Sequence, residues 1–178
     1  MVKVGEGGQA MTRALETVEG AIRIATKAHR GQTDKQHVPY ILHPLRVGSA
    51  LWRFGPEFVI AGILHDVVED TALTFDDLER LGASANVLAA VSAVTNESET
   101  AVDDYERSIR EAMKDPVGLW VKAADVADNA SRIDSVPDEA RRERWTRKYA
   151  MAYRVLGERI PGFAPGMALA PKDWVTYE

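Results

Sequence analysis

Apolar positions recur at helical spacing through most of the chain. Leu15, Val18, Ile22 and Ala25 mark one face of a segment from Ala10 to Ala28, with Thr12 placed to cap it. The polar run GQTDKQHVP follows as a connector, and Pro44 suits the first turn of a second helix reaching about Arg53. Gly55-Pro56 interrupts the pattern before a strongly apolar helix from Glu57 to Asp70. Thr74, with Asp77 three residues on, reads as an N-cap for a short helix that Gly82 ends. Ala85 to Val94 reads as a buried helix and Thr100 to Lys114 as an amphipathic one. Asp115-Pro116 opens a further helix to about Asp134. The last, Asp138 to Gly157, sets Trp145, Tyr149 and Tyr153 on one side of alternating charges. No segment sustains period-two alternation. The expectation is an all-α fold, one compact bundle of seven to nine helices without an internal repeat.

Length and composition narrow this to a soluble globular domain. The 178 residues suffice for one domain, and 46% hydrophobic with 28% charged residues is ordinary for such a chain. The expected division is a Gly-rich lead-in over 1–9, the domain over 10–158 and a Pro/Gly-rich tail over 159–178. In that tail Trp174 and Tyr177 are expected to pin the segment to the body or to a partner subunit, which leaves a homo-oligomer open. The charge-free run Phe58 to Leu64 is far shorter than the roughly 20 residues of a membrane span, so no membrane partner is expected. The N-terminus lacks an apolar signal region, and the chain has no cysteine. Disulfides, thiolate zinc sites and cysteine nucleophiles are thereby excluded, which fits a cytoplasmic location. A net charge of −5 argues against nucleic acid as a partner.

The informative chemistry begins with the four histidines, His29, His37, His43 and His65. In ILHDVVED, His65 is followed by Asp66, Glu69 and Asp70. On a helix His65 pairs with Glu69, and Asp66 with Asp70, so four ionisable groups cluster on an otherwise apolar element. Buried carboxylates are costly unless they are paired or bind a metal. A solvated polar face at the helix end is the plainer alternative. Asp125 and Asn129 repeat the four-residue spacing inside WVKAADVADNASRID, where a cap or a buried hydrogen bond would also explain them. His43 precedes the helix-starting proline of PYILHPLRV. Combined, His43, His65, Asp66 and Asp125 make a set of two nitrogens and two oxygens. Such a set suits manganese, iron, zinc or nickel.

Three ordered blocks, AHRGQTDKQHVPYILHPLRV, ILHDVVEDT and VKAADVADN, resemble the hydrolase domain of the RelA/SpoT family within the HD-domain metal-dependent phosphohydrolases. Among these the chain looks most like single-domain small alarmone hydrolases. The likeness runs over about residues 20 to 135. It implies an HD-type helical bundle in which His43, His65, Asp66 and Asp125 are ligands of one Mn2+. It further implies that Glu69 and Asp70 orient or deprotonate the attacking water, and that Asn129 supports the site near the nucleotide. The implied substrate is a guanosine nucleotide, ppGpp or pppGpp, hydrolysed at its 3′-pyrophosphate to GDP or GTP and pyrophosphate. Lys122 is a candidate phosphate contact. The basic run Arg141, Arg142, Arg144, Arg147 and Lys148 reads as a solvated face interleaved with Glu139 and Glu143. Its functional alternative is that Arg141 or Lys148 holds the distal phosphates, or that Tyr149 packs near the nucleotide. No histidine follows His65, so a mononuclear site is expected, with His29 and His37 as possible extra ligands from upstream.

One position departs from the family's pattern. An Arg-Lys pair, whose arginine stacks on guanine, is replaced here by Asp34-Lys35. Aspartate offers neither a flat cation nor positive charge, leaving Lys35 or Arg30 to compensate. Two rival readings follow: the same metal chemistry on another nucleotide, or a catalytically weak nucleotide-binding module.

Overall fold

The computed structural model describes residues 13–95, 102–167 and 169. Among them are nine α-helices and no strand beyond an isolated bridge between Thr33 and Pro39. The helices are α1 (Val18–Ala28), α2 (Leu42–Ala50), α3 (Pro56–Leu64), α4 (Val67–Asp70), α5 (Phe75–Arg80), α6 (Ala85–Val94), α7 (Val102–Ala112), α8 (Pro116–Ser131) and α9 (Glu139–Leu156). Short 3₁₀ turns cover Ala14–Glu16, Trp52–Phe54 and Ile133–Ser135. No helix among the described residues is long and apolar enough to cross a membrane.

Side chains that accept orphan backbone N–H groups fix where the helices begin. Ser84 starts α6, Asp115 starts α8 and Asp138 starts α9 in this way. Thr74 and Asp77 form a reciprocal capping box at α5. Thr17, not Thr12, caps α1 by accepting from the Gly20 N–H, so the helix expected from Ala10 begins at Val18. Thr12 itself lies outside the described residues, as do the lead-in over 1–9, Thr100, Trp174 and Tyr177. The helix expected to reach Asp134 ends at Ser131, and the chain continues as the Ile133–Ser135 turn. Beyond α9 the described chain forms turns, with Phe163 packed on Tyr153 at 4.8 Å between ring centroids.

The largest correction concerns Glu57 to Asp70, which is not one helix. It breaks at His65-Asp66 into α3 and α4. There the His65 ring Nδ1 donates to the Gly62 carbonyl at 2.7 Å, competing with the backbone for that acceptor. The turn lets two consecutive residues, which an unbroken helix would splay by about 100°, line one cleft.

Helix α8 is the axle of the bundle. Every residue from Val117 to Val126 is buried, because α2, α3, α6, α7 and α9 all pack around it. Helices α2 and α3 approach closely through two glycines. A Cβ at Gly62 would stand 3.0 Å from the Gly48 Cα, and one at Gly48 would stand 2.5 Å from Ile63 Cγ1. This contact sets the spacing between α2, which carries His43, and the end of α3, where His65 stands.

A candidate metal centre and its cleft

Four side chains from three elements converge beside α8. The Nε2 of His65 lies 2.9 Å from Asp66 Oδ2 and 3.9 Å from Asp125 Oδ1. The Nε2 of His43 lies 3.5 Å and 3.3 Å from the same two oxygens. Donors that share one ion at about 2.1 Å stand about 3–3.5 Å from their neighbours, so the spacing suits a single cation. The two rings are already oriented for it. His65 Nδ1 is committed to the Gly62 carbonyl and His43 Nδ1 to Asp128 Oδ2 at 2.7 Å, which turns both Nε2 atoms inward. His65 Nε2 is buried and makes no hydrogen bond among the described residues. A buried nitrogen without a proton partner, facing two carboxylates, is what a cation would resolve.

The electrostatics point the same way. Burial works against a charged His43, yet the hydrogen bonds to Asp125 and Asp128 outweigh it and raise its pKa to about 10. Burial also opposes ionisation of Asp125, but the His43 hydrogen bond and the Lys122 charge hold its carboxyl well below the usual range. Asp66 is lowered likewise, with His65 prevailing over burial. A pocket that holds protons on imidazoles and strips them from carboxylates holds a dication by the same field.

A supporting layer surrounds these donors. Arg46 donates to both oxygens of Asp128, at 2.5 Å from Nε and 2.9 Å from Nη2, completing a chain from Arg46 through Asp128 to His43. The Tyr40 hydroxyl donates to Asp66 Oδ2 at 2.6 Å, and burial together with the carboxylates pushes its pKa up, keeping the proton in place. Gln32 joins His29 to the Asp70 carbonyl, with bonds of 2.7 Å on each side. Asp128, Arg46, Tyr40 and Gln32 were not read from the sequence as site residues. Two signals pointed to the first pair: Arg46 stands three residues after His43 on α2, and Asp128 three after Asp125 on α8.

The other expected residues divide between cage, cleft and surface. Glu69, Lys122 and Asn129 line the cleft of about 140 Å³ over the four donors. Asn129 Nδ2 donates to Asp125 Oδ1 at 2.5 Å. Lys122, buried, lies 3.6 Å from Asp125 Oδ2. Asp70 is not among the lining residues. Lys35 lines an adjoining cleft of about 270 Å³ that shares His43, Asn129, Lys148 and Tyr149 with the first. Its ammonium stands 4.8 Å from the Trp145 ring centroid. Of the basic run on α9, Lys148 reaches the shared wall, while Arg141 lines neither cleft. Neither His29 nor His37 joins the four donors. His29 is buried against Tyr40 at 5.0 Å between ring centroids, and His37 sits exposed in the connector at a φ of 62°.

Comparison with known proteins adds four findings. The HD domain family model matches residues 21–161. The chain is 34% identical over 155 residues to a guanosine-3′,5′-bis(diphosphate) 3′-pyrophosphohydrolase of Spiroplasma citri, covering 82% of this chain and 21% of that protein. It is 35% identical over 158 residues to a GTP pyrophosphokinase of Streptomyces coelicolor, covering 84% of this chain and 18% of that protein. The chain thus spans about a fifth of the length of the curated relatives it matches. A solved structure of a metazoan ortholog of SpoT, described as hydrolysing ppGpp and playing a role in starvation responses, superposes with a TM-score of 0.69 at 27% identity. The match covers 78% of this chain and 84% of that one.

Proposed function

The chain belongs to the HD-domain family, and on that premise we propose that it hydrolyses the 3′-pyrophosphate of ppGpp or pppGpp with one bound divalent ion, manganese being the assignment. The observation that carries this reading is the meeting of His43 Nε2, His65 Nε2, Asp66 Oδ2 and Asp125 Oδ1 beneath a cleft walled by Lys122, Lys148 and Asn129. The printed activities of the Spiroplasma relative and of the SpoT ortholog support the substrate class.

His43, His65, Asp66 and Asp125 would hold the ion. It would acidify a water and neutralise phosphate charge as the P–O bond breaks. The chain's own residues supply the rest. Glu69, on the rim of the same cleft, accepts the proton of the attacking water. Asp70, whose carbonyl takes the Gln32 amide, anchors the end of α4 and so aims Glu69. Lys122 and Lys148 face the 3′-pyrophosphate of the substrate. Asn129 fixes Asp125 and offers its amide edge to the nucleotide. In the balanced reaction the water oxygen joins phosphorus, the bond to the ribose 3′ oxygen breaks, and a proton ends on that oxygen. GDP or GTP and pyrophosphate leave.

A second reading, the same hydrolysis on another nucleotide, is favoured by one observation only, Asp34 at a position where the resembling family carries arginine. One experiment separates the two. Purified protein with manganese is incubated with ppGpp and, in parallel, with GTP, other nucleotide pyrophosphates and 3′-phosphorylated nucleotides, and products are resolved by ion exchange. Chelator-sensitive release of GDP and pyrophosphate from ppGpp is the expected result. Cleavage of a different nucleotide, with ppGpp untouched, would favour the second reading.

A further inference from the structure

Asp34 is not a bare anion facing the substrate. Its Oδ1 accepts the backbone N–H groups of Gln36 at 2.8 Å and Val38 at 2.9 Å, the closed geometry of an Asx turn. Its Oδ2 accepts from Arg132 Nη2, which also donates to Gln36 Oε1 at 3.0 Å. Both carboxylate oxygens are therefore occupied. The negative charge is neutralised across 98 residues of sequence by a guanidinium arriving from the end of α8.

That guanidinium lines the larger cleft, with Asn129 and Trp145. Both its hydrogen bonds leave from Nη2, so Nε and Nη1 have no hydrogen-bond partner among the described residues. Arg132 follows Asp125 by seven residues, about 10 Å along the helix axis. This is the reach of a nucleoside from its 3′ oxygen to the outer edge of its base. With the phosphates at the Asp125 end, the base falls at the Arg132 end. A guanidinium held rigidly on one side presents a stacking plane and free donors on the other, and guanine carries the O6 and N7 acceptors that such a fork pairs with.

We propose that Arg132 recognises the base of the bound nucleotide, and that Asp34 is a positioning residue that holds Arg132 in place. The flat cation missing from residue 34 is thereby supplied by the guanidinium bonded to it, which lines the same cleft. This inference rests on the proposed hydrolysis of a guanosine nucleotide. Lys35 does not substitute for it, since its ammonium is spent on the Trp145 face.

The test compares wild type with Arg132→Lys, Arg132→Ala, Arg132→Asp, Asp34→Asn and the reversed pair Asp34→Arg/Arg132→Asp, measuring kcat and KM for ppGpp, bound manganese and Tm. Arg132→Ala raises KM by about ten-fold or more while kcat stays within about three-fold, because a remote contact adds uniform binding. Arg132→Lys keeps the charge but not the fork, and raises KM comparably with an unchanged Tm. Asp34→Asn raises KM less. The reversed pair recovers much of what Arg132→Asp alone loses. Wild-type KM in both Arg132→Lys and Arg132→Ala overturns the inference and leaves the proposed hydrolysis standing. A wild type that cleaves no nucleotide overturns both. If it cleaves another nucleotide instead, the same KM comparison on that compound decides the role of Arg132.

Discussion

His43 Nδ1 and Asp128 Oδ2 lie 2.7 Å apart, joining α2 to α8 behind the four converging donors. The bond decides which nitrogen of His43 points inward, and Arg46 on the far side of the carboxylate keeps Asp128 from swinging away. Orientation of this kind is worth about 10- to 100-fold in metal affinity. Asp128→Ala is therefore expected to weaken manganese binding by that factor, read by titration calorimetry. An unchanged Kd would reduce the pair to packing.

Glu69 and Asp66 should separate cleanly. Asp66→Ala removes a donor and is expected to abolish both bound metal and turnover. Glu69→Ala leaves the donors intact, so metal content is retained while kcat falls by about 10²-fold or more, as loss of acid–base help does. Full turnover by Glu69→Ala would remove it from the proton-accepting role.

The glycine contact between α2 and α3 predicts a distant effect. The Cβ of Gly48→Ala would stand 2.5 Å from Ile63 Cγ1 and 3.0 Å from the Val59 carbonyl oxygen, so the helices must part. Overpacking of this kind costs about 1–3 kcal/mol, and each kcal/mol lowers Tm by about 2–4 °C in a chain of this size. Because His43 and His65 ride on those two helices, manganese affinity is expected to fall with Tm. Calorimetry on the purified variant measures both, and loss of Tm without loss of affinity would uncouple them.

Acid should loosen one defined place. Asp77 accepts from the Thr74 hydroxyl at 2.7 Å and the Thr74 N–H at 2.9 Å, and from Arg80 at 2.6 Å, which together lower its pKa to about 2. The ordinary value is 3.8. A carboxyl whose folded pKa is depressed stabilises the fold above its unfolded value, and that contribution is lost as pH falls through the folded one. The protection factors of the amides across residues 74–78, taken against intrinsic exchange at each pH, are thus expected to fall between about pH 4 and pH 2. Asp77→Asn should flatten that dependence, and an unaltered profile would discount the capping box.

Much of this architecture is legible in local patterns. Apolar spacing and caps such as Thr74, Asp115 and Asp138 mark helices because they act within a few residues. The blocks around His43, His65 and Asp125 mark the residues that the fold brings together. Three features escape such reading for physical reasons. The break at His65 comes with no proline or glycine beside it and depends on a ring bonding to the Gly62 carbonyl. The orientation of His43 depends on Asp128, 85 residues away. The fate of Asp34 depends on Arg132, which a local reading meets only as one more charge near a helix end.

The turn that Asp34 closes lies outside every helix, whereas the four donors sit on or beside elements buried in the core. In the proposed reading, chemistry and recognition are thus carried by parts of the chain with different tolerance for change. Substitutions over residues 33–39, or at Arg132, alter the shape and charge offered to a base without moving a donor atom. Such a division makes the scaffold readily adaptable. On that reading, a lineage could exchange one nucleotide for another by editing this turn and Arg132, keeping the four donors in place throughout.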